Sequence, residues 1–256
     1  MQFIRGTLIA SAALVVGGVT AAQAADLNYG GSIKDGYVAP MAAPAPSVYF
    51  RIDGGYAFHD EPRMTENTIY TLTDVTMDEA WTFGGGVGMY FSKNVRADIT
   101  VDHRFEHDLS GNLADHAATL EGVRHFGLAS TVGLVNVYYD FDMGRNFTPY
   151  VGAGLGFVRH TTKEGTVTDP CGTCTAVIEG DSQTHVAAAL MAGFSMTLRD
   201  RLMLDAGYRF LYLGEAATGP VRFTGTAPGA PSVSDDPIAH DIHAHEFRVG
   251  LRYNVR

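Results

Sequence analysis

Apolar and polar positions alternate along residues 95–105, which read VRADITVDHRF. Successive side chains of a β-strand point to opposite faces, so this period of two predicts a strand. Its polar face carries charges of both signs, and its other face is apolar over about the length that crosses a bilayer. A soluble sandwich would bury the apolar face in a core, whereas a transmembrane barrel turns that face towards lipid and the charges towards the lumen. This strand alone does not decide between the two.

The same pattern recurs along most of the chain and decides the question. Eight strand-like segments are found at 49–58, 80–91, 95–105, 126–141, 148–159, 185–198, 202–213 and 245–255. Short polar connections (92–94, 142–146, 199–201) alternate with long ones (59–79, 106–125, 160–184, 214–244). This rhythm is typical of outer-membrane barrels. We predict an all-β fold, an eight-stranded antiparallel transmembrane up-and-down β-barrel with short periplasmic turns and four long extracellular loops.

The faces opposite the apolar ones carry six arginines and six acidic residues. They are Arg51, Arg96, Arg104, Arg209, Arg248 and Arg252, with Asp53, Asp98, Asp102, Asp140, Asp205 and Glu246. Eight strands enclose a lumen only wide enough for side chains, and buried charges must be paired. We therefore predict a lumen ion-pair network, with the inward glycines of the second and fifth strands leaving room for arginine stems. The alternative is that these charges gate a small pore.

The N-terminal region has the composition of an export signal. Arg5, the apolar run Leu8–Val19 and the small residues of Ala22-Gln23-Ala24 predict a signal peptide over 1–24, cleaved after Ala24. Residues 25–47 are rich in proline, alanine and glycine, which favours a flexible N-terminal segment, and 48–256 form the predicted barrel domain. No later stretch has the roughly 18 consecutive apolar residues of a spanning helix.

The charge balance limits the partners of the exported chain. Removing 1–24 takes away Arg5 and no acidic residue, so the net charge changes from −10 to −11. This acidity argues against nucleic acid, which requires a basic surface. The sequence indicates no cofactor.

Four short pieces carry a resemblance to a known family. They are Arg51-Ile-Asp-Gly-Gly-Tyr56, Thr148-Pro-Tyr-Val-Gly-Ala-Gly-Leu-Gly156, Asp205-Ala-Gly-Tyr-Arg209 and His245-Glu-Phe-Arg-Val-Gly-Leu-Arg-Tyr253. Through them and the strand pattern, residues 48–256 resemble opacity-type surface antigens, small outer-membrane β-barrels related to OmpA's membrane domain and to OmpX. The resemblance implies an integral protein of the Gram-negative outer membrane that is usually not an enzyme. It also implies a structural, envelope-integrity role, with loops exposed for adhesion or surface interaction.

This interpretation predicts outer-membrane lipids, lipopolysaccharide and the barrel-assembly machinery as partners, and a host or surface ligand that binds through the loops. One alternative is a lipid A-modifying enzyme of the deacylase type, which would need a serine, a histidine and an acid near the outer leaflet. His103 or His245 could supply its base, but Ser130 and Ser195 are predicted to face inward, beside neither. The other alternative is a narrow porin of low conductance.

Two clusters in the long connections could carry chemistry. Cys171 and Cys174 form a single CxxC motif, for which an oxidising periplasm favours a local disulfide over a zinc half-site. His240, His243 and His245 form the densest histidine cluster, and alternate residues of a strand share a face, so a metal site is one hypothesis. The other interpretation of these histidines is polar residues at the membrane–water boundary.

Overall fold

The computed structural model describes residues 47–66, 70–114, 120–143, 146–168, 175–224, 233–234 and 237–255. They belong to one compact unit, Pro44–Arg256. The predicted signal peptide, all but the last residue of the predicted flexible segment, and both cysteines lie outside the described residues. Within the described part of the chain, no helix is long and apolar enough to cross a membrane.

The described residues form sixteen β-strands. In chain order they are β1 (Val48–His59), β2 (Arg63–Glu66), β3 (Tyr70–Met77), β4 (Ala80–Tyr90), β5 (Val95–Ala114), β6 (Leu120–Asp140), β7 (Phe147–Thr162), β8 (Gly165–Thr168), β9 (Thr175–Ile178), β10 (Ser182–Arg199), β11 (Leu202–Tyr212), β12 (Ala216–Ala217), β13 (Val221–Thr224), β14 (Val233–Ser234), β15 (Pro237–His240) and β16 (His243–Val255).

Eight of these strands close into a ring. The order around it is β1, β4, β5, β6, β7, β10, β11 and β16, with each strand antiparallel to both neighbours. The first and last strands close the ring in register from Val48 opposite Val255 to His59 opposite Ala244. Closure leaves no strand edge unpaired, as the hydrocarbon interior of a membrane requires. The prediction of a closed eight-stranded antiparallel barrel is confirmed.

The outer face of the ring is an apolar belt. Trp81 is 66% exposed and Leu155 is 67% exposed, as expected of side chains that face lipid instead of a protein core. We take the membrane-spanning part of each strand to end at its outermost belt residue on the extracellular side. Those residues are Phe58, Trp81, Phe105, Val135, Phe157, Val186, Tyr212 and Phe247.

The interior has two levels of opposite character. The predicted arginines and acidic residues fill the level nearer the periplasm, and an apolar core fills the extracellular level. This core contains Leu109, Phe126, Leu128, Val132, Leu134, Val158, Leu211 and Leu213. The extracellular connections contribute to the same core through Met64, Ile178, Val221, Ala239 and Ile242. The lumen is therefore packed at both levels.

The long connections are more ordered than their sequence predicts. The strands β2, β3, β8, β9 and β12–β15 all lie in them, and β5 and β6 continue past the predicted ends of the third and fourth strands. We call these short strands, together with the parts of β5 and β6 beyond the apolar belt, the extracellular platform. The four long extracellular connections are therefore not irregular loops in the described residues, because buried apolar side chains tie them to the barrel core.

Candidate functional site

The lumen brings the predicted charges together in two linked groups. In the first, Arg51 donates to Asp53 at 2.7 Å and to Asp98 at 3.0 Å. Nearby, Arg96 pairs with Asp140 at 3.1 Å. All five side chains are buried, and each carboxylate lies against at least one guanidinium. Such pairing offsets the cost of removing these charges from water.

The second group lies closer to the apolar core. Arg209 donates to Asp102 at 2.7 Å and to Glu246 at 2.6 Å. Arg248 also pairs with Asp102, at 2.7 Å, and Arg104 donates to Glu246 in a close ion pair. Arg248 lies 3.5 Å from Asp53 and thereby joins the two groups. Both carboxylates of this group, Asp102 and Glu246, are therefore held by at least two arginines from different strands.

Tyrosine rings complete the lumen. The guanidinium of Arg96 lies 4.0 Å from the centre of the Tyr138 ring, and that of Arg252 lies 5.3 Å from the Tyr49 ring. Arg252 also pairs with Asp205 at 3.2 Å. The structure thus places all twelve predicted residues in the lumen. Each of them lies within ion-pair distance of at least one residue of opposite charge. The tyrosines are lumen residues that the charge pattern did not identify.

The inward glycines of β4 and β7 do not lie against arginine side chains, contrary to the expectation from the sequence. A Cβ atom on Gly84 would collide with the carboxylate of Asp102, and one on Gly88 would collide with the ring of Tyr49. The expectation for the second and fifth strands is wrong because these glycines face short acidic, amide and aromatic side chains of the neighbouring strands. The six arginines enter the lumen from β1, β5, β11 and β16.

The packed lumen predicts a closed channel. The cavity among Arg51, Asn136, Tyr150 and Arg209 has a volume of about 20 Å³, close to that of a single water molecule. We expect planar bilayers containing the refolded protein to show no stepwise current at moderate voltage. Discrete steps that persist across preparations would contradict this prediction and favour the porin alternative.

A serine and a histidine do meet, but inside the barrel. Ser130 Oγ lies 2.7 Å from His160 Nδ1, and His160 Nε2 donates to the Leu213 carbonyl at 2.9 Å. The carbonyl can only accept, so Nε2 carries the proton and Nδ1 accepts from the serine hydroxyl. Ser130 is 2% exposed and His160 1% exposed. A nucleophile must touch its substrate, so this buried pair does not favour the lipid A-modifying alternative.

Two further histidines stack above the ion pairs. The rings of His59 and His107 lie 4.6 Å apart and nearly parallel. His59 Nδ1 donates to the Asp78 carbonyl at 2.9 Å, so its Nε2 accepts from Arg104 at 2.7 Å. Burial lowers the pKa of His107, which lies beyond the apolar belt. Because a guanidinium can only donate, its contact with Nε2 requires the neutral form of the His59 ring.

The three histidines of the hypothesised metal site have different partners. His240 contacts Glu215 at 2.9 Å, whereas His243 stacks on Phe210 with ring centres 5.5 Å apart. His245 contacts the hydroxyl of Tyr208 at 2.5 Å. Within the described ranges, no group of three or more histidine, cysteine or acidic residues could hold a metal ion. His240 is held by Glu215 and Thr65, whereas His243 and His245 both pack against Phe210, so the three rings do not share a set of partners.

Cations of the platform are held in exposed ion pairs. Lys163 pairs with Glu106, Arg222 pairs with Glu179, and Arg63 pairs with Asp241 at 3.4 Å. These contacts neutralise much of the basic charge that the extracellular surface offers.

A closed eight-stranded barrel with an apolar outer belt, a charged lumen and an extracellular platform defines an outer-membrane surface protein. The sequence comparisons agree with this class. The chain belongs to the outer membrane protein beta-barrel domain family, whose family model matches residues 11–254. The resemblance to small opacity-type barrels is confirmed by these comparisons.

Its relatives include proteins from several Gram-negative bacteria. An uncharacterized protein of Brucella abortus is 30% identical over 274 residues, covering 93% of this chain and 94% of that protein. Opacity protein opA58 of Neisseria gonorrhoeae is 27% identical over 209 residues, covering 65% and 80% of the two chains. Outer membrane protein PagN of Salmonella typhimurium is 26% identical over 185 residues, covering 67% and 72%.

A solved structure shares the fold. The outer membrane protein OprG from Pseudomonas aeruginosa aligns with a TM-score of 0.50 at 13% sequence identity, covering 80% of this chain and 95% of that chain. At this identity the likeness concerns the fold alone. It agrees with the strand order and closure described above.

Proposed function

We propose that this protein mediates surface interaction of the adhesion type, with the barrel as its anchor and the extracellular platform as its contact surface. The observation that carries the proposal is the apolar core shared by the barrel and the platform. Met64, Ile178 and Ile242 of the long connections are buried against the barrel strands. A platform fixed in this way presents one surface, so little conformational entropy is lost when it binds.

The barrel itself has a structural role in this proposal. The twelve lumen charges fill the interior as a paired network and hold neighbouring strands together, and they do not gate a pore. The envelope gains a rigid, closed span without a leak. Opacity proteins and a putative adhesin of Rickettsia typhi are among the relatives, which supports an interaction role for the platform.

Adherence of bacteria that carry altered platforms tests the proposal. Each of the four long connections is replaced in turn by a short Gly-Ser linker, and a strain without adhesins of its own displays each variant. We expect at least one replacement to reduce adherence to cultured epithelial cells to the level of the empty vector. Replacing the short turn 142–146 in the same way is the matched control and should leave adherence unchanged.

Two outcomes decide the test. A mobility shift between unboiled and boiled samples shows that each variant has folded into a barrel. If all four folded variants adhere as well as the unaltered protein, or if the unaltered protein adheres no better than the empty vector, the platform does not mediate adhesion and the proposal is wrong.

A further inference from the structure

A row of polar side chains crosses the outer face of the barrel near the top of the apolar belt, and on β5 the exposed aromatic ring of Phe105 lies one outward position beyond it. His103, Thr131, Arg159 and Thr184 lie opposite one another on β5, β6, β7 and β10. All four are exposed on the lipid-facing side. His103 Nδ1 lies 3.2 Å from Thr131 Oγ1. We call these four residues the polar row.

The next row towards the periplasm is wholly apolar. Val101, Gly133, Phe157 and Val186 occupy the same four strands, two residues deeper. The change from apolar to polar between the two rows marks the level at which hydrocarbon gives way to lipid headgroups. Since the long connections lie on this side, the polar row is at the level of the outer-leaflet headgroups.

A groove runs into the apolar belt directly below the polar row. It has a volume of about 490 Å³ and is centred on Gly133, where a Cβ atom would meet nothing within 4 Å. Its walls are Ile99, Val135, Leu155, Phe157 and Val186. The missing side chain of Gly133 therefore leaves an apolar depression in a surface of bulky side chains.

Arg159 differs from the paired cations of the platform. Lys163 and Arg222 each have a carboxylate partner, and so does Arg63. Among the residues that the structure describes, no acidic side chain pairs with Arg159. A guanidinium at the edge of the hydrocarbon layer is stabilised by an anion, and at this level the lipid headgroups supply one.

We propose that the polar row and the groove form a binding site for the phosphorylated glycolipid of the outer leaflet, the lipid A part of lipopolysaccharide. Arg159 binds a phosphate through charge-assisted hydrogen bonds, His103 and the two threonines supply further hydrogen bonds, and one acyl chain lies in the groove over Gly133. The proposal does not depend on the adhesion function, because it uses only lipid-facing residues of the barrel.

A second groove provides the control. It has a volume of about 670 Å³ and is centred on Gly54, where a Cβ atom also meets nothing within 4 Å. Aromatic side chains, including Tyr56, Trp81 and Phe247, surround it, and the cation beside it, Arg248, points into the lumen. This groove offers a chain-sized depression without an outward-facing cation.

Native mass spectrometry of the full chain, refolded in detergent, tests the site. The probes are diphosphorylated lipid A and the same lipid with its phosphates removed. We expect the unaltered protein to retain the phosphorylated form about tenfold better, as one good charge-assisted contact corresponds to about a factor of ten. Arg159→Gln should remove this preference, and Gly133→Leu should weaken retention of both forms by filling the groove.

Matched variants separate this result from general effects. Arg199→Gln removes an exposed cation at a periplasmic turn, and Gly54→Leu fills the control groove. Both should behave as the unaltered protein does, and a heat-dependent mobility shift confirms that every variant is folded. Equal retention of the two lipid forms by the unaltered protein, or an unchanged preference in Arg159→Gln, would overturn the proposal.

Discussion

Replacing Glu246 with alanine is expected to lower the free energy of unfolding by about 3–5 kcal/mol, the range seen when one partner of a buried ion pair is removed. Glu246 is 0% exposed and contacts Arg104, Arg209 and, at 3.7 Å, Arg248. Asp102 still pairs with Arg209 and Arg248 in the variant, and Arg248 also keeps its contact with Asp53. Arg104, however, loses the carboxylate with which it is paired while remaining buried.

Urea unfolding of the protein in lipid vesicles, followed by Trp81 fluorescence and by the mobility shift, measures this loss. Glu246→Gln keeps the volume and one acceptor oxygen, so it should fall between the alanine variant and the unaltered protein. The control is Glu179→Ala, which breaks an exposed pair with Arg222 and should leave the unfolding midpoint unchanged. Equal midpoints for the Glu246 and Glu179 variants would show that the lumen pairs do not stabilise the barrel.

Acidification should weaken the packing of the platform on the barrel through His160. Burial lowers the pKa of His160 from 6.5 to about 4. The unfolded chain therefore takes up a proton between these values while the folded chain does not. The neutral His160 ring therefore makes its full contribution to the free energy of unfolding above about pH 6.5. This contribution, roughly 3 kcal/mol in total, is lost as the pH falls towards 4.

The groups around His160 give this titration its direction. Ser130 and the Leu213 carbonyl hydrogen-bond the neutral ring, and Arg104, His107 and His185 are the titratable or charged side chains that act on it. None of these supplies a negative charge that would stabilise an imidazolium. Protonation therefore requires the surrounding contacts to open.

Hydrogen exchange of the barrel strands that contact the platform, measured between pH 7 and pH 4.5, follows the effect. We expect exchange of β7 and β11 near His160 to increase as the pH falls, after correction for the intrinsic pH dependence of exchange. His160→Asn keeps a donor and an acceptor without titrating, so its pH dependence should be smaller. His125→Asn, at an exposed position beside Asp108, should behave as the unaltered protein does. An identical pH dependence in the His160 variant would refute the mechanism.

The membrane-spanning part of the fold was predictable because lipid imposes a simple rule on the sequence. Every lipid-facing position must be apolar, so the period of two in β1, β5 and β16 identified both the strands and their inward charges. The twelve lumen residues follow from the same rule, since a charge on a spanning strand has nowhere else to point.

Above the membrane this rule no longer holds. Residues 106–112 of β5 face water or other protein, so their outward positions are polar and the apolar–polar alternation that reveals a strand is lost. Leu109 and Phe126 are buried there by contacts that join distant parts of the chain. Such contacts depend on tertiary packing, and a local pattern cannot show them. The meeting of Ser130 and His160 was missed for the same reason, as neither neighbours the other in sequence.

The lengths of β5 and β6 have a consequence for access. These strands contain 20 and 21 residues, whereas about 11 suffice to cross the membrane. Nine further residues at about 3.3 Å each, tilted by about 40°, raise the described end of this hairpin roughly 20–25 Å above the bilayer. A large partner can therefore touch the top of the hairpin without penetrating the layer of lipid-linked sugars. Arg159, on the neighbouring β7 at the level of the membrane surface, is open instead to molecules that arrive by lateral diffusion within the leaflet.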